Sequence, residues 1–277
     1  MQQIRIAADS SCDLLTLAGA DFISVSLTIR TDEAEYRDDA SLDVAAMTDA
    51  LRHYKGRSYS SCPNIADWES AFGETGDVLV FPITSNLSGS FAAACAAKDS
   101  CEERNPSRRI HVFDTLTVGP ETVLLIEKAV ALLKTGADFN EVCRAVTEYQ
   151  THTHLLFALE SLHNFAQNGR VSRLTAAAAG VLGIRAAGQA SAEGTLELLE
   201  KCRGEAKTLD FFLRQIEKLG YTGGRAAIGH CQNEPFAQRL REEILRLFPK
   251  AEIELRPLRG LCSYYAELGG ILLGFEA

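Results

Sequence analysis

The 277-residue sequence contains no run of lysine or arginine, and its formal net charge is −9. A nucleic-acid surface needs clustered cations, so DNA and RNA are excluded as partners. No apolar stretch reaches the roughly 18 residues that a membrane-spanning helix needs. Stable membrane insertion is therefore not expected. Met1-Gln2-Gln3-Ile4-Arg5-Ile6-Ala7 runs straight into a strand-like segment and shows no signal-peptide anatomy, which points to the cytoplasm. The 8 cysteines form no Cys-x-x-Cys pair and do not sit at zinc-ligand spacing with a histidine. They are expected to be reduced, several of them as small apolar residues in packed elements. Gly-x-Gly-x-x-Gly, Gly-x-x-x-x-Gly-Lys-Ser/Thr, Gly-x-Ser-x-Gly and His-Glu-x-x-His are all missing. Their absence removes the common nucleotide loops, the α/β-hydrolase nucleophile elbow and the helical zinc-protease site. No internal repeat, low-complexity stretch or obvious linker stands out.

What is present is enough apolar material, 46% of residues, for one large or two moderate domains. Over residues 1–150 strand and helix signals alternate. Ile4–Ala8, Phe22–Leu27, 77–84 and Ile110–Asp114 read as strands. Ser41–His53, Ser61–Phe72, the segment from Ser90, Pro120–Lys134 and Asp138–Gln150 read as helices. Ser41 is the expected cap of the first helix, and Pro63 lies near the start of the second. Such alternation predicts a three-layer α/β/α domain around a parallel sheet. From about 151 to 277 the signals change. Thr151–Leu159, Leu196–Cys202, Ala226–His230, Glu252–Pro257 and Ile271–Phe275 read as strands. A short helix after 159, the Ala-rich Leu174–Ala187, Lys207–Leu219 and Phe236–Phe248 read as helices. This half is expected to be an α+β domain.

Ser88-Gly89-Ser90 lies between the apolar run 77–84 and the helix-forming Phe91-Ala92-Ala93-Ala94-Cys95. A strand, a Ser/Gly turn and a helix start bring hydroxyls and free N–H groups to one point, which suits an anionic head group. The same residues also read simply as a helix cap. In doubly wound sheets ligands lie beyond the carboxyl ends of the strands, and the Ser-bearing turns near 10, 60 and 88 are candidates for that edge. His152 and His154 share a strand face, read either as two metal ligands or as a half-exposed face without a third ligand. His230 and Cys231 are neighbours, but adjacent strand residues point to opposite faces, which favours a structural role over a nucleophile pair. Asp9 and Asp13 read as turn formers whose carboxylates accept local N–H groups, with cation binding as the other option.

The hydroxyl-bearing turns say more in series. Asp9-Ser10-Ser11-Cys12-Asp13, Ser60-Ser61-Cys62-Pro63, Leu87-Ser88-Gly89-Ser90-Phe91, Asn168-Gly169-Arg170-Val171-Ser172, Lys201-Cys202-Arg203-Gly204 and Gly269-Gly270 with Gly274-Phe275 follow in order. This order and spacing resembles the DegV family of bacterial fatty-acid-binding proteins over essentially the whole chain. The resemblance implies two α/β domains, the second with a mixed sheet, and a long acyl chain buried between them. It implies a carboxylate held by the second and third motifs, hence by Ser60, Ser61, Ser88 and Gly89. Arg170 and Arg203 match basic family positions near the pocket mouth, and read equally as plain surface arginines. It further implies a non-catalytic carrier with no cofactor or metal. Its partner would be a fatty acid kinase that converts the bound acid to an acyl phosphate for phospholipid synthesis.

Three departures stand out. Ala8 replaces the Thr of the first motif. Tyr265 falls where many members have a His that contacts the carboxylate, and a phenol cannot become cationic near neutral pH. Arg185-Ala186 replaces a Lys-Pro, so a differently shaped loop is expected there. Two other functions compete: a serine hydrolase or acyltransferase with Ser88 as nucleophile, and a carrier of another small anion.

Overall fold

The computed structural model describes residues 4–171 and 183–277. Its first half is built on a parallel sheet of four strands: β1 (Ile4–Asp9), β2 (Asp21–Val25), β6 (Asp77–Phe81) and β7 (Ile110–Val112), in the order β2-β1-β6-β7. The alternation of side chains along a strand explains its two covered faces. Ile6, Ala8, Leu79 and Phe81 point to one face, packed by α4 (Pro120–Lys134) and α5 (Phe139–Gln150). Ala7, Val78 and Val80 point to the other, packed by α2 (Ile65–Phe72) and α3 (Ser90–Arg104). This is the expected three-layer arrangement.

The second half is a mixed six-stranded sheet, ordered β10-β9-β8-β13-β11-β12. Its strands are β8 (Thr153–Leu159), β9 (Ile184–Ala190), β10 (Leu196–Arg203), β11 (Arg225–His230), β12 (Glu252–Pro257) and β13 (Ile271–Glu276). The β11–β12 pair is parallel and the other pairs are antiparallel. Two amphipathic helices, α7 (Gly204–Lys218) and α8 (Glu234–Leu247), cover one face through Phe211, Phe212, Ile216, Phe236, Leu240 and Ile244. Short helix α6 (His163–Gln167) follows β8.

Four local expectations are corrected. Asp43, not Ser41, caps α1 (Val44–His53), accepting from Ala46 N–H; Ser41 instead donates to Asp39. Residues 61–72 are not one helix. Tyr59–Ser61 is strand β5, and α2 starts after Asn64, which forms a capping box with Asp67. The helix expected over 174–187 lies outside the described residues up to 182, and its end belongs to strand β9. Arg185 is on that strand rather than in a loop, paired with Glu160 at 2.8 Å. Two further elements were not expected. One is a small antiparallel sheet, β4-β3-β5, of β3 (Thr28–Arg30), β4 (Glu35–Arg37) and β5. The other is α9 (Gly260–Ala266).

Candidate functional site

The turns after β1 and β6 lie at the carboxyl edge of the parallel sheet, and Asp9 ties them together. Its buried carboxylate accepts from Ser11 N–H and hydroxyl, from Ile83 N–H at 3.0 Å and from the Ser90 hydroxyl at 2.5 Å. Ser90 is thus spent on Asp9, and α3 has no side-chain cap. Burial pushes the Asp9 carboxyl up; the hydrogen bonds from Ser11, Ser90 and Ile83 pull against that. The role of Asp9 is therefore wider than a local turn: it fixes the loop that presents Ser88.

Helix α9 is held by two more buried carboxylates of the first half. Asp13 accepts from Arg259 N–H at 2.7 Å, and Asp38 accepts from Gly260 and Leu261 N–H at 2.9 and 2.8 Å. Arg259 also donates to Asp39 O at 2.6 Å. This clasp sets Leu261, Cys262, Tyr265 and Ala266 against the mixed sheet.

Between them runs a narrow apolar slot. Leu155, Phe157 and Leu159 of β8, Leu272 of β13 and Leu196 of β10 form one wall. Leu27, Ile83, Leu87 and Val118, with Leu261, Cys262 and Ala266 of α9, form the other. One end is polar. There Ser60, Ser88, Arg170 and Tyr265 line the slot. The hydroxyls of Ser60 and Tyr265 are 2.8 Å apart, and Tyr265 stacks on Phe165 with ring centroids 4.6 Å apart. Burial pushes the Tyr265 phenol up, with Ser60 and Arg170 opposing, so it stays a neutral donor. Arg170 donates to Leu87 O at 3.2 Å and to Asn168 O. Residues 167–170 are stitched to the start of β5 through Ser58, whose N–H donates to Gln167 at 3.0 Å, and to α9 through Asn168, which donates to the Tyr264 hydroxyl at 2.8 Å.

The structure thus brings Ser60, Ser88, Tyr265 and Arg170 to one place. Ser61 is next to Ser60 on β5, where alternation turns its side chain the other way. Gly89 is at the exposed start of α3, with Cys62 Sγ 3.4 Å from where a Cβ would stand. Arg203 ends β10, seven residues from Leu196 and so about 20 Å along the strand; it does not line the slot. Ser172 lies outside the described residues. His154 packs on Phe275, and His152 is exposed. His230 accepts from Asn233 N–H, while Cys231 turns to Ser263 O. Among the described residues no group of three or more His, Cys, Asp or Glu is placed to hold a metal ion. A wider, open depression lies at the amino ends of the parallel strands, lined by Asp21, Asp77, Arg109, Lys134 and Asp138 among others. Its charges do not suit an apolar ligand.

A family model described as an uncharacterised DegV-family protein matches residues 3–276. The chain belongs to the DegV family. A DegV domain-containing protein of Streptococcus pneumoniae is 42% identical over 276 residues, which is 98% of each chain. Two solved structures of the same build are similar throughout. One is a DegV-family protein from Eubacterium eligens loaded with heptadecanoic acid, with TM-score 0.97, 41% identity and 99% of each chain covered. The other is the Streptococcus pneumoniae fatty acid kinase B3 protein loaded with linoleic acid, with TM-score 0.96, 41% identity and 99% of each chain covered.

The clasp of this DegV-family chain carries a pH signature. Asp13 Oδ2 is buried and, among the described residues, accepts no well-formed hydrogen bond; burial pushes the carboxyl up to about 7, with Asp38 adding to the rise and Arg259 N–H, the nearby Cys262 thiol and Arg256 opposing it. A carboxyl raised on folding favours the protonated form in the folded state, so its ionisation costs stability as pH climbs from about 4 to 7. Asp13→Asn is therefore expected to stabilise the protein by about 2 kcal/mol at pH 8. The gain should shrink steadily toward pH 4. Asp13 has φ 60, a left-handed conformation that asparagine tolerates. Urea midpoints of both proteins at the two pH values check it; a gain that does not change with pH would contradict this account.

Proposed function

We propose that this protein is a carrier that buries a long-chain fatty acid in the slot and presents its carboxylate to a fatty acid kinase. The observation that carries this reading is the shape of the site: an apolar slot between the two sheets, closed at one end by three hydroxyls and an arginine. Each methylene buried there contributes about 0.8 kcal/mol, so the tail supplies most of the affinity. Ser60, Ser88 and Tyr265 offer neutral donors to the carboxylate, and Arg170 adds a positive charge beside them. The fatty acids named for the two similar structures support the same ligand class. In this reading the phosphoryl chemistry belongs to the partner, and no cofactor is required of this chain. Arg203 is then left as a surface cation available to a partner. The reading as a serine hydrolase is less well supported, because none of the 6 histidines lines the slot beside Ser88.

Mass spectrometry of an organic extract of the purified protein tests the proposal. A fatty acid is expected in near-equimolar amount. Ser60→Ala and Ser88→Ala should each weaken binding roughly tenfold, the value of about 1.5 kcal/mol for a hydrogen bond to a charged group. A protein that takes up no fatty acid even from an added mixture would sink the reading. Clear labelling by a fluorophosphonate, lost in Ser88→Ala, would shift the assignment to the hydrolase. With kinase and ATP added, acyl phosphate should form only when the carrier is loaded.

A further inference from the structure

We infer that Glu121, tied to Thr117 and Thr153, is a polar stop that ends the slot and sets the longest acyl chain it accepts. The inference rests on the fatty-acid reading and adds where the chain must end. The placement follows from the alternation of β8. Leu155, Phe157 and Leu159 line the slot, while Leu156 and Ala158 face the opposite cluster against α7 and α8. The next residue on the slot face beyond Leu155 is Thr153, which does not line the slot. Its hydroxyl donates to Glu121 Oε1 at 2.7 Å. The Thr117 hydroxyl donates to the other carboxyl oxygen. All three residues are buried, Glu121 at 5% exposure.

The backbone closes the same end. Leu155 pairs with Gly274 on β13, and a Cβ on Gly274 would come within 2.4 Å of Glu121 N. The first turn of α4 therefore presses directly onto β13 level with Leu155, and its glutamate reaches from there to Thr153, the next residue on the slot face, across the line along which the slot would continue. Val118, one residue after Thr117, is among the lining residues there.

An apolar wall yields to a longer chain by a change of rotamer. This end yields less easily. A methyl group pushed into it must separate both hydroxyls from the carboxyl, and the buried polar groups would have no water to replace what they lose. The stop is thus energetic as well as steric, and the loss of affinity with chain length should be abrupt.

The test is a series of saturated fatty acids of rising length, titrated against wild type, Glu121→Gln, Glu121→Ala and Thr153→Ala. Every methylene that finds apolar room improves affinity roughly fourfold. Wild type and Glu121→Gln are expected to fall off at the same length. Glu121→Ala and Thr153→Ala, which shorten the stop, should bind the first acid that wild type rejects about tenfold more tightly. Shorter acids should bind all four proteins alike. Thr153→Ala is the gentler change and guards against a misfolded Glu121→Ala. If both alanine variants bind the shorter acids normally and keep the wild-type cut-off, the stop is elsewhere and the inference is overturned. If wild type binds no fatty acid of any length, the functional reading itself fails, and this inference falls with it.

Discussion

Asp9→Ala is expected to lower the unfolding free energy by about 4 kcal/mol and to weaken fatty-acid binding at the same time. The size follows from what the carboxylate holds. Four donors from three segments converge on it: Ser11 N–H and hydroxyl, Ile83 N–H and the Ser90 hydroxyl. Asp9 is fully buried, so water cannot replace the lost acceptor. A buried donor left unpaired costs about 1 to 3 kcal/mol, and removing one side of a buried charged network costs about 3 to 5 kcal/mol. The hydroxyls can rotate toward other acceptors; Ile83 N–H and Ser11 N–H cannot. The functional side of the effect arises because Ile83 and Ser90 bracket the loop that presents Ser88 to the slot. Asp9→Asn keeps one acceptor oxygen and should lose about half as much. Urea unfolding gives the stability, and titration with a bound fatty acid gives the affinity. A variant that is destabilised but binds with unchanged affinity would show that the Ser88 loop holds its shape without Asp9.

Much of the fold is legible in the sequence because its period is long enough to read. The strand over 77–81 is buried at every position, and its branched apolar run announces that. Helices such as α5, with Asp138 as cap and Glu141 completing a capping box, carry their own start signals. The elements that escape such reading lack local signals. The three-residue strands β3, β4 and β5 are too short to show alternation. Helix α9 has almost every residue buried, so it has no polar face, and its first N–H groups are capped by carboxylates more than two hundred residues away in sequence. Strand β9 reads Ile-Arg-Ala-Ala-Gly-Gln-Ala, whose alanines favour a helix. Pairing on both sides, with β8 and β10, overrides that preference. Gly188 is needed there because Phe157 and Glu197 O leave no room for a Cβ. Within the site, the hydroxyls are legible as turn residues. Arg170, expected near the mouth, lines the slot with Tyr265 and Ser88. Spacing along a chain does not say how far a side chain reaches across a junction of two sheets.

Asp38→Ala is expected to be nearly as damaging as Asp9→Ala, with a loss of about 3 to 4 kcal/mol and, in addition, faster release of bound ligand. Asp38 is fully buried and follows β4, so it reaches α9 across the junction. Its two oxygens accept from Gly260 and Leu261 N–H, and the Arg259 guanidinium lies 3.8 Å away. Removing the carboxylate leaves two buried backbone donors without their acceptor and takes away the charge that faces the Arg259 guanidinium, which keeps only its hydrogen bond to Asp39 O. Burial raises the Asp38 carboxyl, and the N–H groups of Leu261 and Gly260 oppose that rise, so the clasp works only while they stay in place. Tyr265, Cys262 and Ala266 ride on the helix it anchors, and a helix of seven residues has little stability of its own. Loosening its start should let the slot open more often, so the ligand should leave faster while its entry changes less. Asp38→Asn, which keeps one acceptor, separates the two consequences: it should recover some of the stability and leave release intermediate. Dissociation followed by transfer of a fluorescent fatty acid to excess acceptor vesicles measures the rate. Release unchanged in a clearly destabilised Asp38→Ala would mean that α9 does not govern the opening of the slot.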